Sequence, residues 1–260
     1  MGGNDQALRG LKDRFRGERC FVLGNGPSLK VHDLTHLREE FVFVSNWFVF
    51  HHEFPNLRHC FYCSTDPHHW NYGEGFHPEL LEGLARHPNL LCFFEITART
   101  AFARQRRLPS EIAHFVKVDF EKKVTEGQFS TNLPMETCWG HTVVIDLSLP
   151  LAFYLGFTTV YLLGCDCDYK LDASPDLSQG FFFDLSNLPQ ADLNHIYQQR
   201  DEFNAQQQLD KWERAYQVAR DYFEKKGRKI FNAGKGGKLE VFERVEYQKL
   251  FGSTSDPSAR

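Results

Sequence analysis

The sequence has no apolar run long enough to form a membrane-spanning helix, and no strong excess of charge of either sign. Its longer apolar runs, such as Thr158–Gly164 (TTVYLLG), fall far short of the roughly 18 residues that a spanning helix needs. The formal net charge of −4 excludes a global field that would attract nucleic acid or an anionic membrane. The N-terminal segment is polar and lacks the apolar core of a secretory signal, so we expect a cytoplasmic protein without a transmembrane segment.

Paired metal-ligand motifs are also absent. The chain has seven cysteines, an odd number in a chain too long to need disulfides, which favours a reduced, intracellular setting. Cys60 and Cys63 form one CxxC, but no second CxxC or HxxxH accompanies it. Both cysteines lie in a strand-like run, HCFYCS, in which they face opposite sides. We therefore interpret them as buried structural thiols rather than zinc ligands.

Short apolar runs that end in small or polar residues recur along the chain and indicate strands. Segments with helical spacing separate several of them, which predicts an α/β fold with a Rossmann-like, doubly wound, mainly parallel sheet. The apolar character within each run is continuous, as in strands covered on both faces. The predicted strands are Cys20–Leu23, Phe41–Val44, Cys60–Tyr62, Leu90–Phe94, Phe115–Val118, Val160–Leu163 and Lys229–Phe231.

Two helices and one long insertion complete the predicted domain. Apolar residues at three- and four-residue steps predict a helix over Thr142–Leu155, which Pro150 should kink or divide, and another over Asp201–Lys226, which Gly227 should end. The intervening segment, about 168–200, has little periodicity and is predicted to be a lid-like insertion. We expect one domain over residues 1–251 and a disordered tail over 252–260.

Ligands of open parallel sheets bind beyond the carboxyl ends of the strands, so the residues that follow each strand are the candidates for a site. Small, amide and carboxylate residues occur at four such ends and favour a polar small-molecule site. Pro27 suits the first position of a helix, which would leave the N–H groups of Ser28 and Leu29 free for an anion. The candidate residues are Gly24, Asn25, Gly26, Pro27, Ser28, Asn46, Asp66, Gly164 and Asp166.

Simpler interpretations exist for each of these motifs. A Gly-x-Gly-Pro segment is a common tight turn, Asn46 could be a turn residue, and Asp166 could cap a helix. The turn is neither GxGxxG, since Leu29 replaces the third glycine, nor a Walker A loop, since GK[ST] is absent. The segment GKGGK, residues 234–238, could be a hairpin or a phosphate contact. Arg104, Arg106 and Arg107 are interpreted as a solvated helix face.

Three longer blocks carry a resemblance to known families. LGNGPSLKVHDLTHL…FVFVSNWFVF and WGHTVVIDLSLPLAFYLGFTTVYLLGCD resemble the bacterial sialyltransferases of glycosyltransferase family 42. They also resemble the proteins related to archaeal 6-hydroxymethylpterin diphosphokinase (MptE-like). The closing block, KIFNAGKGGKLEVFERVEYQKLF, is more similar to the MptE-like group. Together these blocks cover about half of the chain.

The sialyltransferase resemblance implies a donor of the cytidine monophosphate (CMP) sugar type at the strand ends. It implies that Asn25 and Asn46 contact the nucleotide and its phosphate. Asp66 stands where the sialyltransferases carry Asn, which adds negative charge beside a phosphate. Tyr169 lies near a family tyrosine that steadies the leaving phosphate, one residue out of register. The family's general-base histidine has no secure counterpart, and His195 is a candidate by its location in the insertion.

We favour a glycosyltransferase among the hypotheses that follow. His195 would accept the proton of the acceptor hydroxyl, and Tyr169 or Tyr197 would donate to the leaving phosphate. No metal is required if the leaving group is a nucleoside monophosphate. The expected partners are a nucleotide-sugar donor and a glycan or small-molecule acceptor, and no nucleic acid is expected. The sequence leaves open whether the protein forms a homo-oligomer.

Two alternatives remain. In a diphosphokinase of the pterin type, Asp66, Asp166 and Asp168 would hold Mg²⁺ on ATP, while Lys235 and Lys238 offset the transferred charge. The other alternative is a nucleotide-binding protein without turnover, consistent with the missing base. A chelator would abolish only the kinase activity.

Overall fold

A seven-stranded, fully parallel sheet forms the centre of the molecule, so the predicted α/β, Rossmann-like fold class is confirmed. The structure, a computed structural model, describes residues 3–71, 75–105, 107–168, 181–182, 188, 193–194 and 205–252. The strand order is β5-β4-β3-β2-β1-β8-β9. The strands are β1 Arg19–Leu23, β2 Phe41–Ser45, β3 His59–Ser64, β4 Leu90–Glu95, β5 Ala113–Val116, β8 Thr159–Leu163 and β9 Lys229–Asn232.

Each face of the sheet is covered by its own apolar core. Consecutive strand residues alternate between the two cores, so Phe21 packs in one and Val22 in the other. Cys60 and Cys63 likewise belong to different cores, and both are buried free thiols. No group of three potential metal-ligating side chains occurs among the residues described. The two thiols therefore face apart, as the strand-like run predicts.

Helices cover both faces of the sheet. The α-helices are α1 Gly3–Leu11, α2 Pro78–Ala85, α3 Ala98–Arg104, α4 Leu149–Leu155 and α5 Ala205–Lys225. Short 3₁₀ helices follow several strands: Pro27–Val31, Leu34–Leu37, Asn46–Phe50, Phe54–Asn56, Pro67–His69, Ser110–Ile112, Val124–Glu126 and Tyr247–Phe251. None of the described helices is both long enough and apolar enough to cross a bilayer.

Both predicted helix features at proline and glycine are confirmed. Pro150 divides the first predicted helix into a π-helical turn, Val144–Ser148, and α4. Pro150 has no N–H to donate to the carbonyl of Asp146, four residues earlier. The N–H of the preceding residue, Leu149, donates to the Val144 carbonyl, five residues back, which is the π-helical spacing. Gly227 ends α5 with φ +72.

The predicted run Phe115–Val118 is two strands rather than one. Strand β5 ends at Val116, and β6, Val118–Lys123, pairs with β7, Thr137–Trp139, in a separate two-stranded parallel ribbon. Phe115, Val116 and Val118 are apolar on both sides of the boundary, so the run itself gave no sign of the division. The ribbon stands beside the carboxyl end of the main sheet and supplies one wall of the cavity described next.

Candidate functional site

A cavity of about 490 Å³ opens at the carboxyl ends of the strands, where strand order reverses between β1 and β8. This crevice is where open α/β sheets bind ligands. Its lining combines residues that follow four strands with others from the β6–β7 ribbon and the start of the π-helical turn. Among them are six of the predicted nucleotide-binding residues: Gly24, Asn25, Asn46, Asp66, Gly164 and Asp166.

Asn25 and Asn46 face this one cavity from neighbouring strands. The Asn25 side-chain amide donates to the Ser45 carbonyl at 3.2 Å, which fixes its orientation. The Oδ1 atoms of Asn25 and Asn46 are both buried and accept no hydrogen bond from any described residue. Because buried polar atoms are normally paired, these two oxygens beside one cavity are groups that a bound molecule with hydrogen-bond donors could satisfy.

Backbone strain is concentrated at the same cavity. Four described residues other than glycine have positive φ, and three of them line it: Asn46 at +51, His141 at +70 and Cys167 at +50. Such conformations cost of order 1–3 kcal/mol each and collect at functional sites. The strain supports a binding role that neither the volume nor the polarity of the cavity establishes.

The N–H groups of Ser28 and Leu29 are not free for an anion, so that expectation is wrong. The N–H of Gly24 donates to Leu163 and that of Gly26 to Gly164, at 2.7 and 2.9 Å. The N–H of Ser28 donates to the Asp166 carboxylate at 2.8 Å, and that of Leu29 to the Gly26 carbonyl. The turn is bonded to the turn after β8 instead.

Close packing of these two turns explains their glycines. A Cβ on Gly24 would lie 2.3 Å from the Gly164 carbonyl oxygen, and one on Gly26 would lie 2.6 Å from the same atom. Pro27 begins a 3₁₀ helix as predicted. Gly26, Pro27 and Ser28 do not line the cavity, so their contribution is to shape the wall rather than to touch a ligand.

Asp166 is committed to protein contacts. One carboxylate oxygen accepts the Ser28 N–H and the other the Ser28 hydroxyl. Its carbonyl oxygen accepts the N–H of Lys238 at 2.7 Å, so the glycine-lysine segment near the C-terminus packs against it. Asp166 thus joins three turns, and both oxygens of its carboxylate take part in holding them together.

The aspartates predicted to hold Mg²⁺ in the kinase alternative are not gathered into one group in the described part of the chain. Both oxygens of Asp166 are occupied, Asp168 pairs with the Lys238 ammonium at 2.9 Å, and Asp66 accepts the His68 N–H as a helix cap. The described residues contain no cluster of three acidic, histidine or cysteine side chains that fits a metal. The Mg²⁺ role of these aspartates stays a prediction from the sequence.

Two titratable residues in the cavity escaped sequence reasoning. Burial raises the pKa of Asp146 to about 7 from its ordinary 3.8, against opposing hydrogen bonds from Gly140, Thr65 and Thr142. Its Oδ1 accepts the Gly140 N–H at 2.5 Å. A lone carboxylate within the apolar stripe of a predicted helix was the available signal, because such a group is buried at a cost and is often functional.

His141 is the second of these residues. It is half-buried in the cavity wall, and its ring lies 4.0 Å from that of Trp139. Burial, aided by the charges of Lys211 and Lys123, lowers the pKa of His141, so its imidazole is neutral at pH 7. Asp146 bonds the residue before His141 and thereby holds its turn in place.

The three predicted catalytic residues, His195, Tyr169 and Tyr197, lie outside the described residues, as do Arg106, residues 253–260 and most of the predicted insertion. Two described residues of that insertion lie at the site. Phe181 lines the cavity, and the Phe182 N–H donates to the Asn25 carbonyl at 3.0 Å.

Comparison with known proteins supports the fold. No protein-family model and no curated protein matches the chain. A variant of the sialyltransferase CST-II in complex with CMP is similar in structure, with a TM-score of 0.51, 17% sequence identity, and coverage of 88% of this chain and 86% of that chain. The sialyltransferase CstII from Campylobacter jejuni, in complex with the substrate analogue cytidine-5'-monophosphate, gives 0.50 and 16%, with coverage of 88% and 85%. The chain thus has an α/β fold similar to that of this glycosyltransferase.

Proposed function

We propose that the chain is a glycosyltransferase that uses a CMP-activated sugar, with a sialyl-type sugar as the first donor to test. The observation that carries this proposal is the pair of unpartnered oxygens of Asn25 and Asn46. They share a cavity at the switch point of a fold that is similar to a sialyltransferase in complex with CMP. Amide oxygens accept hydrogen bonds, so they suit the ribose hydroxyls and the cytosine amino group better than the phosphate.

The charge of the cavity favours a nucleoside monophosphate as the leaving group. The described lining contains no Lys or Arg, the residues that usually offset a di- or triphosphate. Asp166 is hydrogen-bonded to Ser28, and the raised pKa of Asp146 leaves it partly protonated at neutral pH. A single phosphate, which carries the smallest charge among nucleotide donors, is the least repelled here.

The transfer itself requires a base. The acceptor oxygen forms a bond to the anomeric carbon while the bond from that carbon to the phosphate oxygen breaks, and CMP leaves with the electron pair. The acceptor hydroxyl proton passes to an imidazole, which suits a neutral histidine. We propose His141 for this role because it lines the cavity. His195 stays a second candidate base, predicted from the sequence. Tyr169 and Tyr197 likewise stay sequence predictions as donors to the phosphate.

A thermal-shift panel tests the donor. CMP, CDP, UDP, GDP and ATP are each added with and without Mg²⁺, and CMP at 100 times its Kd should stabilise by about 2.7 kcal/mol. For a chain of this size that corresponds to a rise in Tm of roughly 5–10 °C. Release of CMP from CMP-sialic acid in the presence of a disaccharide then tests transfer.

Two asparagine variants make the test specific. Asn46→Gly removes the carboxamide and relieves the strain at φ +51, so we expect weaker CMP binding without loss of stability. Asn25→Ala should also weaken CMP binding, whereas Asn89→Ala, an exposed asparagine outside the cavity, should not. Unchanged CMP affinity in both cavity variants would refute the proposed site.

Other outcomes identify the alternatives. A response to ATP only with Mg²⁺ would contradict the CMP proposal and favour the diphosphokinase. Tight CMP binding without release of CMP from any CMP-sugar over hours would favour a nucleotide-binding protein without turnover.

A further inference from the structure

A strip of three aromatic rings forms one wall of the cavity. Phe120 of β6 lies 6.1 Å from Trp139 of β7, centroid to centroid, and Trp139 lies 4.0 Å from His141. All three side chains line the cavity. We call this set, Phe120, Trp139 and His141, the aromatic strip.

The exposure of Phe120 has no explanation in the packing. Its side chain is 49% exposed, and it is the aromatic member of the few large apolar side chains that are exposed in the described part of the chain. Its neighbours along β6 are polar, as expected for the solvent face of a two-stranded ribbon. What distinguishes Phe120 is its place in the cavity wall next to Trp139, where a bound molecule could cover both rings.

A bulge interrupts the pairing of the ribbon at Phe120. Asp119 pairs with Cys138 and Lys123 with Trp139, so residues 120–122 have no partner in β7. Such irregularities redirect side chains beside binding sites. Phe120 therefore lies 6.1 Å from Trp139 without a ladder partner of its own in β7.

We propose that the aromatic strip binds the sugar acceptor, by stacking on the apolar C–H face of a hexopyranose. This inference rests on the proposed function and assigns the acceptor to the ribbon wall, while the donor nucleotide is assigned to the strand ends that carry the two asparagines. A pyranose has an apolar face and a hydroxyl rim, so it can cover the rings while its hydroxyls reach polar groups. The strip ends at His141, which places an acceptor hydroxyl beside the neutral imidazole.

The competing occupant is the cytosine ring of the donor, which also stacks on aromatic side chains. The two occupants differ in which kinetic constant Phe120 controls. If the strip binds the acceptor, Phe120→Ala should raise the acceptor KM about tenfold and leave the donor KM and the CMP affinity unchanged. Phe120→Tyr, which keeps the ring, should retain most of the acceptor affinity.

A matched control variant is available. Met135 is another exposed apolar side chain, at 63%, and does not line the cavity, so Met135→Ala should change neither KM. Loss of CMP affinity in Phe120→Ala with an unchanged acceptor KM would overturn the inference in favour of the nucleobase. An unchanged acceptor KM and an unchanged CMP affinity would overturn it altogether.

A binding measurement separates this inference from the proposed function. Saturation-transfer NMR with lactose, maltose and cellobiose reports whether sugar C–H protons contact the protein, without any turnover. Sugar contacts that disappear in Phe120→Ala, in a protein that releases no CMP from any CMP-sugar, would uphold the strip and reject the proposed donor. Transfer activity with a normal acceptor KM in Phe120→Ala would uphold the proposed function and reject the aromatic strip as the acceptor site.

Discussion

Gly26→Ala perturbs the contact between the two turns that form the back of the site. Gly26 has φ −70 and ψ 157, a conformation that alanine adopts without strain. The effect of the substitution is therefore steric alone. The new Cβ would lie 2.5 Å from Oδ2 of Asp166 and 2.6 Å from the Gly164 carbonyl oxygen.

The structure sets the size of the expected effect. Ordinary contacts to Cβ begin near 3.4 Å, so both oxygens must recede by roughly 0.8–0.9 Å. Overpacking of this kind costs about 1–3 kcal/mol, and movement of Asp166 also weakens its bonds to Ser28. We expect a loss of about 2 kcal/mol in the free energy of unfolding, or roughly 4–8 °C in Tm.

Urea unfolding, thermal unfolding and CMP titration measure the outcome. Because Gly24 and Asn25 border the displaced atoms, CMP affinity should fall together with stability. Gly10→Ala is the matched control, since Gly10 lies within α1 with nothing within 4 Å of a Cβ, and it should stabilise by about 0.5–1 kcal/mol. If Gly26→Ala unfolds at the wild-type Tm, the proposed close packing of the turns is wrong.

Two further predictions follow from buried groups. Burial raises the pKa of Asp146 from 3.8 to about 7 in the folded state. The contribution of this shift to the free energy of unfolding is therefore fully present below pH 3.8, and it is lost as the pH rises through about 7. Relative to Asp146→Asn, the wild type should thus lose up to about 4 kcal/mol of stability between those pH values in urea titrations, and a pH-independent difference would contradict this. Burial also raises the pKa of the Cys60 thiol, and it raises the pKa of the Cys63 thiol to about 12. Neither thiol should therefore react with a disulfide reagent before the protein unfolds. Rapid modification of either thiol in the native protein would contradict this prediction.

The strands and the position of the site were predictable because both depend on local pattern. Seven apolar runs gave the seven strands of the main sheet, since strands covered on both faces must be apolar throughout. Residues that follow parallel strands lie at one edge of the sheet whatever the details of the turns, which is why Asn25 and Asn46 share a cavity. Strand boundaries changed by only one or two residues.

The uses of individual groups were not predictable, because they depend on contacts between distant parts of the chain. Nothing near Ser28 in sequence shows that its N–H and hydroxyl bond Asp166, 138 residues away. The bulge at Phe120 arises from a register that only the folded ribbon defines. Asp146 was masked by the apolar residues around it, although its burial is what raises its pKa.

The distinction between wall and ligand contacts bears on how substrate specificity is encoded. Gly24 and Gly26 are required by the approach of Gly164, so these glycines indicate the fold rather than the substrate. Asn25, between them, lines the cavity, and its side-chain amide bonds the Ser45 carbonyl rather than the turn after β8. Under the proposed function, we expect substitutions of Asn25 to change the choice of nucleotide and substitutions in the β6–β7 ribbon to change the choice of acceptor. The two choices are separable because the ribbon and the main sheet share no strand pairing.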